Sequence, residues 1–127
     1  MKYTKKIIGL LVVLVLAFLF FNKGSNADGE YNTFTQCLKD SGTKFYGSYQ
    51  CVHCTSQKQM FGASAEYLPY IECGPLGGPQ SLTCQQAGIT GYPTWEFPDG
   101  SRQPGVLSFA VLAERSGCEL VKDTIEE

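Results

Sequence analysis

The stretch Phe45–Cys54 constrains the fold of this chain more than any other feature. It reads FYGSYQCVHC, and its aromatic residues are typical of a short strand that runs into a Cys-x-x-Cys pair. The polar segment behind it, Thr55–Phe61, is typical of a helix, so the pair falls at a helix N-terminus. Free N–H groups and a partial positive charge there stabilise a thiolate. In such a pair the first cysteine is usually exposed and attacks, while the second closes the ring from inside.

The cysteine count and the charge distribution limit the class of protein. Six cysteines among 127 residues indicate an oxidising compartment or a metal site. Four of the ten basic residues precede Asp28, whereas all twelve acidic residues lie from Asp28 onward. The main part of the chain is therefore acidic, which argues against nucleic-acid binding because that requires clustered Lys and Arg.

The N-terminal segment has the pattern of an export signal. A basic flank, residues 1–6, precedes an apolar run of 15 residues, 7–21, which is short for a transmembrane helix of about 17–25 residues. We favour a transmembrane anchor over residues 7–22, and the alternative is a signal peptide cleaved near Ser25-Asn26-Ala27. Either reading places the remaining chain on the extracytoplasmic side, membrane-anchored or secreted, since the lysines before the run outnumber the one after it.

The rest of the chain reads as one α/β domain between a linker and an acidic, frayed tail. The linker is 23–30, the domain 31–118 and the tail 119–127. Periodicity and turn residues predict the order helix, strand, helix, strand, helix, strand, strand, helix. We expect a single helix from Val52 to about Tyr67, kinked or closely approached at Gly62, and an edge strand that contains Pro104. This order gives a four-stranded mixed sheet with helices on both faces, preceded by the N-terminal hydrophobic helix.

Two motifs together carry a family resemblance. The Cys51–Cys54 pair and the later Gly91-Tyr92-Pro93-Thr94 resemble the thioredoxin fold. With Leu68–Cys73, they are most similar to the thioredoxin-like domain associated with vitamin K epoxide reductase homologues. The resemblance covers roughly residues 31–118.

This resemblance implies an enzyme, a thiol–disulfide oxidoreductase that needs no cofactor or metal. It implies that Cys51 is the nucleophile, that Cys54 is the resolving thiol and that Pro93 is a cis-proline. The Tyr92 backbone would then present a short edge to an extended substrate. The implied partners are secreted protein thiols and a membrane protein resembling vitamin K epoxide reductase.

Two residues near the pair bear on the direction of exchange. His53, together with the helix dipole, can stabilise a Cys51 thiolate, which makes the disulfide a stronger oxidant; the alternative is an exposed residue without a role. Thioredoxins commonly carry a buried acid six positions before the first cysteine, and here that position is Phe45. Glu96 could replace this acid, although we expect it to face solvent. The pattern favours a disulfide oxidase, with a reductase or isomerase as the alternative.

Four cysteines lie outside the pair. Related domains have a cysteine pair at the positions of Cys73 and Cys84, which favours a disulfide there, and elimination then leaves Cys37 with Cys118. A relay of electrons from Cys73 and Cys84 to the active pair and a zinc site are the alternatives. A different class of protein, a binding domain with six structural cysteines, predicts that Cys51 is buried and unreactive.

Overall fold

The structure is a computed structural model that describes residues 1–21 and 29–124, without the side chains of residues 2 and 19–21. Its helices are α1 (Lys2–Phe21), α2 (Asn32–Asp40), α3 (Val52–Met60), α4 (Leu82–Ala87) and α5 (Phe109–Ser116), and a 3₁₀ helix spans Gly62–Tyr67. Its strands are β1 (Lys44–Gly47), β2 (Tyr70–Glu72), β3 (Thr94–Glu96) and β4 (Arg102–Pro104).

Within the described residues the four strands form one mixed sheet in the order β2-β1-β3-β4. The β1–β2 pair is parallel, whereas β1–β3 and β3–β4 are antiparallel. This confirms the predicted mixed sheet. It also confirms the edge position of Pro104, where the missing N–H of proline costs no inner ladder bond.

Helices cover both faces of the sheet. Neighbouring side chains of a strand point to opposite faces, so Phe45 and Tyr46 belong to different clusters. Phe45 belongs to the larger core cluster, together with residues of α2, α3, β3 and α5, among them Phe34 and Leu112. Tyr46 belongs to a smaller cluster that includes Cys84 on α4. The first face therefore carries the cysteine pair, and the second carries the helix of the 73–84 segment.

The predicted long helix after the cysteine pair is broken at Gly62. Helix α3 ends at Met60, and Gly62 has φ +54°, a left-handed conformation that glycine adopts without strain. Nothing lies within 4 Å of the position that a Cβ would take there. Gly62 therefore changes the direction of the chain rather than permitting a close approach.

Two disulfides tie the domain together. Cys37 on α2 is bonded to Cys118 just after α5, and Cys73 after β2 is bonded to Cys84 on α4. These are the pairings favoured from the sequence. They leave Cys51 and Cys54 as the free cysteines.

The described part of the tail is docked on the domain rather than frayed. The Asp123 carboxylate accepts a hydrogen bond from the Thr33 backbone N–H (2.8 Å) and another from the Thr33 hydroxyl. The Asp123 N–H donates to the Glu30 carbonyl, and Lys122 forms an ion pair with the Glu30 carboxylate. The tail thereby caps the first turn of α2. Residues 125–127 and most of the predicted linker, including the candidate cleavage site, lie outside the described residues.

The expectation for the N-terminal segment requires correction. Helix α1 forms, and most of its apolar side chains between Ile7 and Phe18 are exposed. However, in the described ranges no helix combines the length and the apolar character needed to cross a membrane. The predicted transmembrane anchor at residues 7–22, and with it the membrane helix in the predicted fold class, is wrong. Length gives the reason, because 15 helical residues rise only about 23 Å against a hydrocarbon core of about 30 Å.

Candidate active site

Strand pairing brings the two sequence motifs to the same end of the sheet. Tyr46 near the end of β1 pairs with Thr94 at the start of β3, and Gly47 pairs with Glu72 at the end of β2. The segments that follow β1 and β2 therefore meet the segment that precedes β3. These are the cysteine pair, the Cys73–Cys84 loop and the Tyr92–Pro93 peptide.

Cys51 occupies the N-cap of α3. Its backbone is extended (φ −82°, ψ 113°), and its sulfur accepts a hydrogen bond from the Cys54 N–H at 3.2 Å. This is the role that a Ser or Asp side chain plays at other helix starts. The bond holds the Cys51 sulfur at the N-terminus of the helix.

The exposure of Cys51 differs from the expectation. The residue is only 6% exposed, against 1% for Cys54, so the first cysteine is buried rather than open. Its neighbours Tyr49 and Val52 are strongly exposed. Cys51 is more accessible than Cys54, as predicted, but it is far less exposed than expected. A buried Cys51 is what the non-catalytic binding domain predicts.

Cys54 lies deeper and strongly favours its protonated form. Burial, followed by a hydrogen bond with the Cys51 sulfur, raises the pKa of Cys54 to about 12. The Ser48 backbone N–H and the charge of Lys58 act in the opposite direction. A buried thiol of this kind attacks only after it has lost its proton.

His53 sits on the first turn of α3 with its side chain exposed. In the described part of the chain, no hydrogen bond or ion pair fixes its ring. Its predicted role in stabilising the Cys51 thiolate stays a prediction.

The peptide bond between Tyr92 and Pro93 is cis, as the resemblance implied. Tyr92 packs against both core clusters, including the one that contains Cys51 and Cys54. Its hydroxyl accepts a hydrogen bond from the Gln80 side-chain amide at 2.7 Å. The substrate-binding role of Tyr92 and Pro93 stays a prediction.

The loop between Cys73 and Cys84 is connected to both halves of the site. The Leu76 N–H donates to the side-chain oxygen of Gln50, the residue before Cys51, at 2.9 Å. At its other end, Gln80 holds the Tyr92 hydroxyl and the Ile89 carbonyl. The disulfide-bonded loop thus positions the chain on either side of the reactive sulfur.

Gln57 is a buried polar residue that the sequence reasoning missed. Its side-chain oxygen accepts hydrogen bonds from the Leu107 N–H (2.7 Å) and the Trp95 indole N–H (3.3 Å), and its amide donates to the Leu107 carbonyl (3.1 Å). These bonds join α3 to β3 and to the segment before α5. A signal was present, because Cys54, Gln57 and Phe61 have the i, i+3, i+7 spacing of one buried helix face.

A second missed group lies beside Cys54. The Tyr70 hydroxyl donates to the Glu72 carboxylate at 2.7 Å, and the Lys58 ammonium lies 3.3 Å from the centre of the Tyr70 ring. These residues come from β2 and α3. Only the fold brings them together, so no local sequence pattern indicated them.

Neither Phe45 nor Glu96 supplies the buried acid that thioredoxins commonly carry near the cysteine pair. Phe45 is fully buried and stacks on Trp95, with ring centres 4.5 Å apart. Glu96 forms ion pairs with Lys44 and Arg102. The hydrogen bond from Lys44, together with that from Arg102, outweighs the opposing effect of burial, so the pKa of the Glu96 carboxyl is held below its usual range. Since neighbouring residues of a strand face opposite sides, Glu96 points away from Trp95 and from the cysteine pair.

The zinc alternative loses two of its candidate ligands to a disulfide. Cys73 and Cys84 are bonded to each other, and within residues 1–21 and 29–124 no group of three or more His, Cys, Asp or Glu side chains is placed to hold a metal ion.

Comparison with known proteins identifies a relative whose name states an activity. Over 88 residues the chain is 42% identical to the thiol-disulfide oxidoreductase LTO1 of Arabidopsis thaliana. The chain resembles a thiol–disulfide oxidoreductase. The match covers 65% of this chain but only 23% of the length of that relative, and no family model matches. The similarity supports a thioredoxin-like redox domain, and the association with vitamin K epoxide reductase homologues stays a prediction.

Proposed function

We propose that this chain is a thiol–disulfide oxidoreductase that uses Cys51 and Cys54. One observation carries the proposal: four of the six cysteines are locked in two disulfides, while the free pair sits at a helix N-terminus, at the same end of the sheet as a cis-proline peptide. Two free sulfurs at that position have no packing role that alanine or serine could not fill. The relative named as a thiol-disulfide oxidoreductase supports the same activity.

The exchange proceeds through a mixed disulfide. In the oxidising direction, a substrate thiolate attacks the Cys51 sulfur of the Cys51–Cys54 disulfide, and Cys54 leaves as a thiolate and takes up a proton. A second substrate thiolate then attacks the substrate sulfur bound to Cys51. The substrate leaves with a disulfide, and the protein retains two reduced cysteines.

The rate of oxidative refolding of a reduced substrate protein tests the activity. Wild-type protein, added in its disulfide form at stoichiometric amounts to a reduced secreted protein, should accelerate recovery of the native substrate. The Cys51→Ser variant should not. Equal rates with wild type, with Cys51→Ser and without protein would instead support the non-catalytic binding domain, which the burial of Cys51 favours.

We propose that the pair acts as an oxidase rather than as a reductase or isomerase. The N-cap position of Cys51 and the neighbouring His53 support a stabilised thiolate, and the aromatic stack at Phe45 leaves no acid at that position. Equilibration with glutathione should give a reduction potential clearly less negative than the approximately −270 mV of thioredoxin. A value near or below that figure would leave the reductase or isomerase.

We propose an extracytoplasmic site of action, where an oxidant meets newly exported thiols. The two structural disulfides support an oxidising compartment, since such bonds are rare where glutathione and thioredoxin keep thiols reduced. Alkylation of intact cells with a membrane-impermeant maleimide, after reduction, should label Cys51. Labelling only after lysis would contradict this location.

We propose further that a membrane protein resembling vitamin K epoxide reductase re-oxidises the pair and that secreted protein thiols are the substrates. The motif resemblance around Cys51 and Pro93 supports this pairing. The Cys54→Ser variant cannot resolve its mixed disulfides, so it should accumulate covalent complexes that mass spectrometry can identify. Complexes that contain only cytoplasmic proteins would contradict both partner classes.

A further inference from the structure

The Cys54 sulfur and the Tyr70 side chain both lie close to Gly47, on the side where a Cβ atom would be. A methyl group added to Gly47 would lie 3.1 Å from the Cys54 sulfur, 3.1 Å from the Tyr70 hydroxyl oxygen and 2.6 Å from the edge of the Tyr70 ring. Glycine at this position therefore allows Tyr70 to approach the buried thiol.

Tyr70 in turn holds a cation beside this space. Lys58 follows Cys54 by one helical turn, a spacing that places two side chains on the same face of a helix. Its ammonium lies 3.3 Å from the centre of the Tyr70 ring, which is the geometry of a strong cation–π contact. Lys58 is only half-exposed, so solvent screens its charge less than on an open surface.

Glu72 fixes the phenol that carries this cation. One carboxylate oxygen accepts the Tyr70 hydroxyl, and the other accepts the backbone N–H groups of Tyr49 (3.2 Å) and Gly74 (2.9 Å). Burial opposes ionisation of Glu72, but the hydrogen bonds from Tyr70, Gly74 and Tyr49 outweigh it, so the pKa of this carboxyl is lowered. The charge of Glu72 also attracts Lys58 toward the ring.

The other charged groups near α3 lie elsewhere. Lys44, Glu96 and Arg102 form an ion-paired group on the sheet face opposite Phe45, because they alternate with residues of the buried face. His53 is exposed on α3. The Tyr92 hydroxyl is engaged by Gln80. Within the described residues, Lys58 is thus the cation that lies one helical turn from Cys54 on the same face of α3, with Tyr70 as its neighbour and Glu72 bonded to Tyr70.

The resolving step needs such a cation. When a partner is bound to Cys51, Cys54 must lose its proton and attack the Cys51 sulfur as a thiolate. Burial, followed by the hydrogen bond with the Cys51 sulfur, raises the pKa of this thiol to about 12, so very little of it is ionised near neutral pH. A nearby positive charge increases that fraction, since an opposite charge favours the ionised form.

We propose that Lys58 stabilises the Cys54 thiolate during resolution of the mixed disulfide, and that Tyr70 and Glu72 are the positioning residues that hold its ammonium there. This inference rests on the proposed function, because it concerns the second step of the same exchange. The bond that forms joins Cys54 to Cys51, and the bond that breaks joins Cys51 to the partner sulfur. The partner leaves as a thiolate, and the proton of Cys54 passes to solvent.

The aromatic disulfide dithiobis(nitrobenzoate) separates the two steps in one stopped-flow trace. The reduced protein attacks it through Cys51 and releases one coloured thionitrobenzoate. Cys54 then attacks the mixed disulfide on Cys51 and releases the second, at a rate independent of reagent concentration. The variants are Lys58→Met and Lys58→Gln, which remove the charge, Lys58→Arg, which keeps it, and Lys39→Met as an exposed-lysine control on α2.

Loss of one nearby charge should shift the Cys54 pKa by about one unit and slow the second phase about tenfold at pH 7. Both neutral variants should show this slowing relative to their first phase. Their plot of second-phase rate against pH should be displaced by about one unit to higher pH. Lys58→Arg and Lys39→Met should keep the wild-type rates in both phases.

The outcomes separate this inference from the proposed function. A wild-type trace without a second phase would contradict the proposed exchange through Cys51 and Cys54. A normal wild-type trace, with an unchanged rate and pH plot in either neutral variant that circular dichroism shows to be folded, would overturn the role of Lys58 alone.

Discussion

Two cysteines three positions apart are made chemically different by their surroundings. The Cys51 sulfur caps α3 and accepts a hydrogen bond from the Cys54 N–H. The Cys54 sulfur is almost fully buried, and its pKa is raised to about 12 by that burial and by the Cys51 sulfur. The first residue is thus suited to attack, and the second to remain protonated until a mixed disulfide forms.

Gly47 is the residue on which this environment depends most directly. In Gly47→Ala, the new methyl would lie 2.6 Å from the Tyr70 ring, so the ring and the Cys54 sulfur must move. We expect unfolding in urea to show a loss of about 1–3 kcal/mol, the usual cost of overpacking. Gly91→Ala is the matched control, because nothing lies within 4 Å of its Cβ position. Equal stability of the two variants would show that the close approach at Gly47 is unimportant.

Helix α3 is held at its buried face by a side chain rather than by apolar contact alone. Gln57 exchanges hydrogen bonds with both backbone groups of Leu107 and accepts one from Trp95. This network fixes the helix that carries the cysteine pair relative to β3, which follows Pro93. The orientation of the cysteine pair relative to the Tyr92–Pro93 peptide therefore depends on this amide.

Replacing Gln57 with leucine should be costly although the side chains are similar in size. The Leu107 N–H and the Trp95 N–H would lose their acceptor inside the core, and each buried unpaired group costs about 1–3 kcal/mol. Urea unfolding monitored by Trp95 fluorescence measures the loss. Gln59→Leu, an exposed position on the same helix, should change stability by less than about 0.5 kcal/mol. A similar small change for Gln57→Leu would contradict the bracing role.

Local signals predicted the elements better than the contacts between them. Apolar periodicity marked the helices and Gly117 marked the end of α5, because left-handed backbone after a helix favours glycine. Gly62 was expected inside one long helix, and it instead separates α3 from the 3₁₀ helix. Gln57, Lys58 and Tyr70 were missed, because their roles depend on residues far along the chain. Cys51 was expected to be exposed, and its burial follows from the packing of α3 in the core, which no local pattern encodes.

At the scale of the molecule, covalent and polar connections join the ends of the domain. The Cys37–Cys118 disulfide closes a span of 81 residues, while Cys73–Cys84 closes 11. Asp123 adds a hydrogen-bonded link from the tail to α2. The expected membrane anchor was wrong, and the apolar run inside α1, 15 residues long, is short for a membrane span of about 17–25 residues. The disulfide pairs, in contrast, were within reach of sequence reasoning.

The two disulfides should differ in what they stabilise. The double variant Cys37→Ala/Cys118→Ala should lose about 4–5 kcal/mol of unfolding free energy. The reason is that removing a disulfide across a longer loop gives the unfolded chain more entropy. Removing Cys73–Cys84 should cost about 3 kcal/mol and should also slow exchange, since its loop holds Gln50 and Tyr92. Urea unfolding and the refolding assay measure the two effects. Equal activity of both variants would contradict the positioning role of the shorter loop.

The central claim is that Cys51 is a reactive nucleophile despite its burial. The most direct test is the rate at which iodoacetamide alkylates the mildly reduced, folded protein near neutral pH, read by mass spectrometry after quenching. We predict fast, single labelling of wild type and of Cys54→Ser, and no comparable labelling of Cys51→Ser. Labelling of Cys51 that occurs only when the protein is unfolded would contradict the claim and would identify the pair as structural.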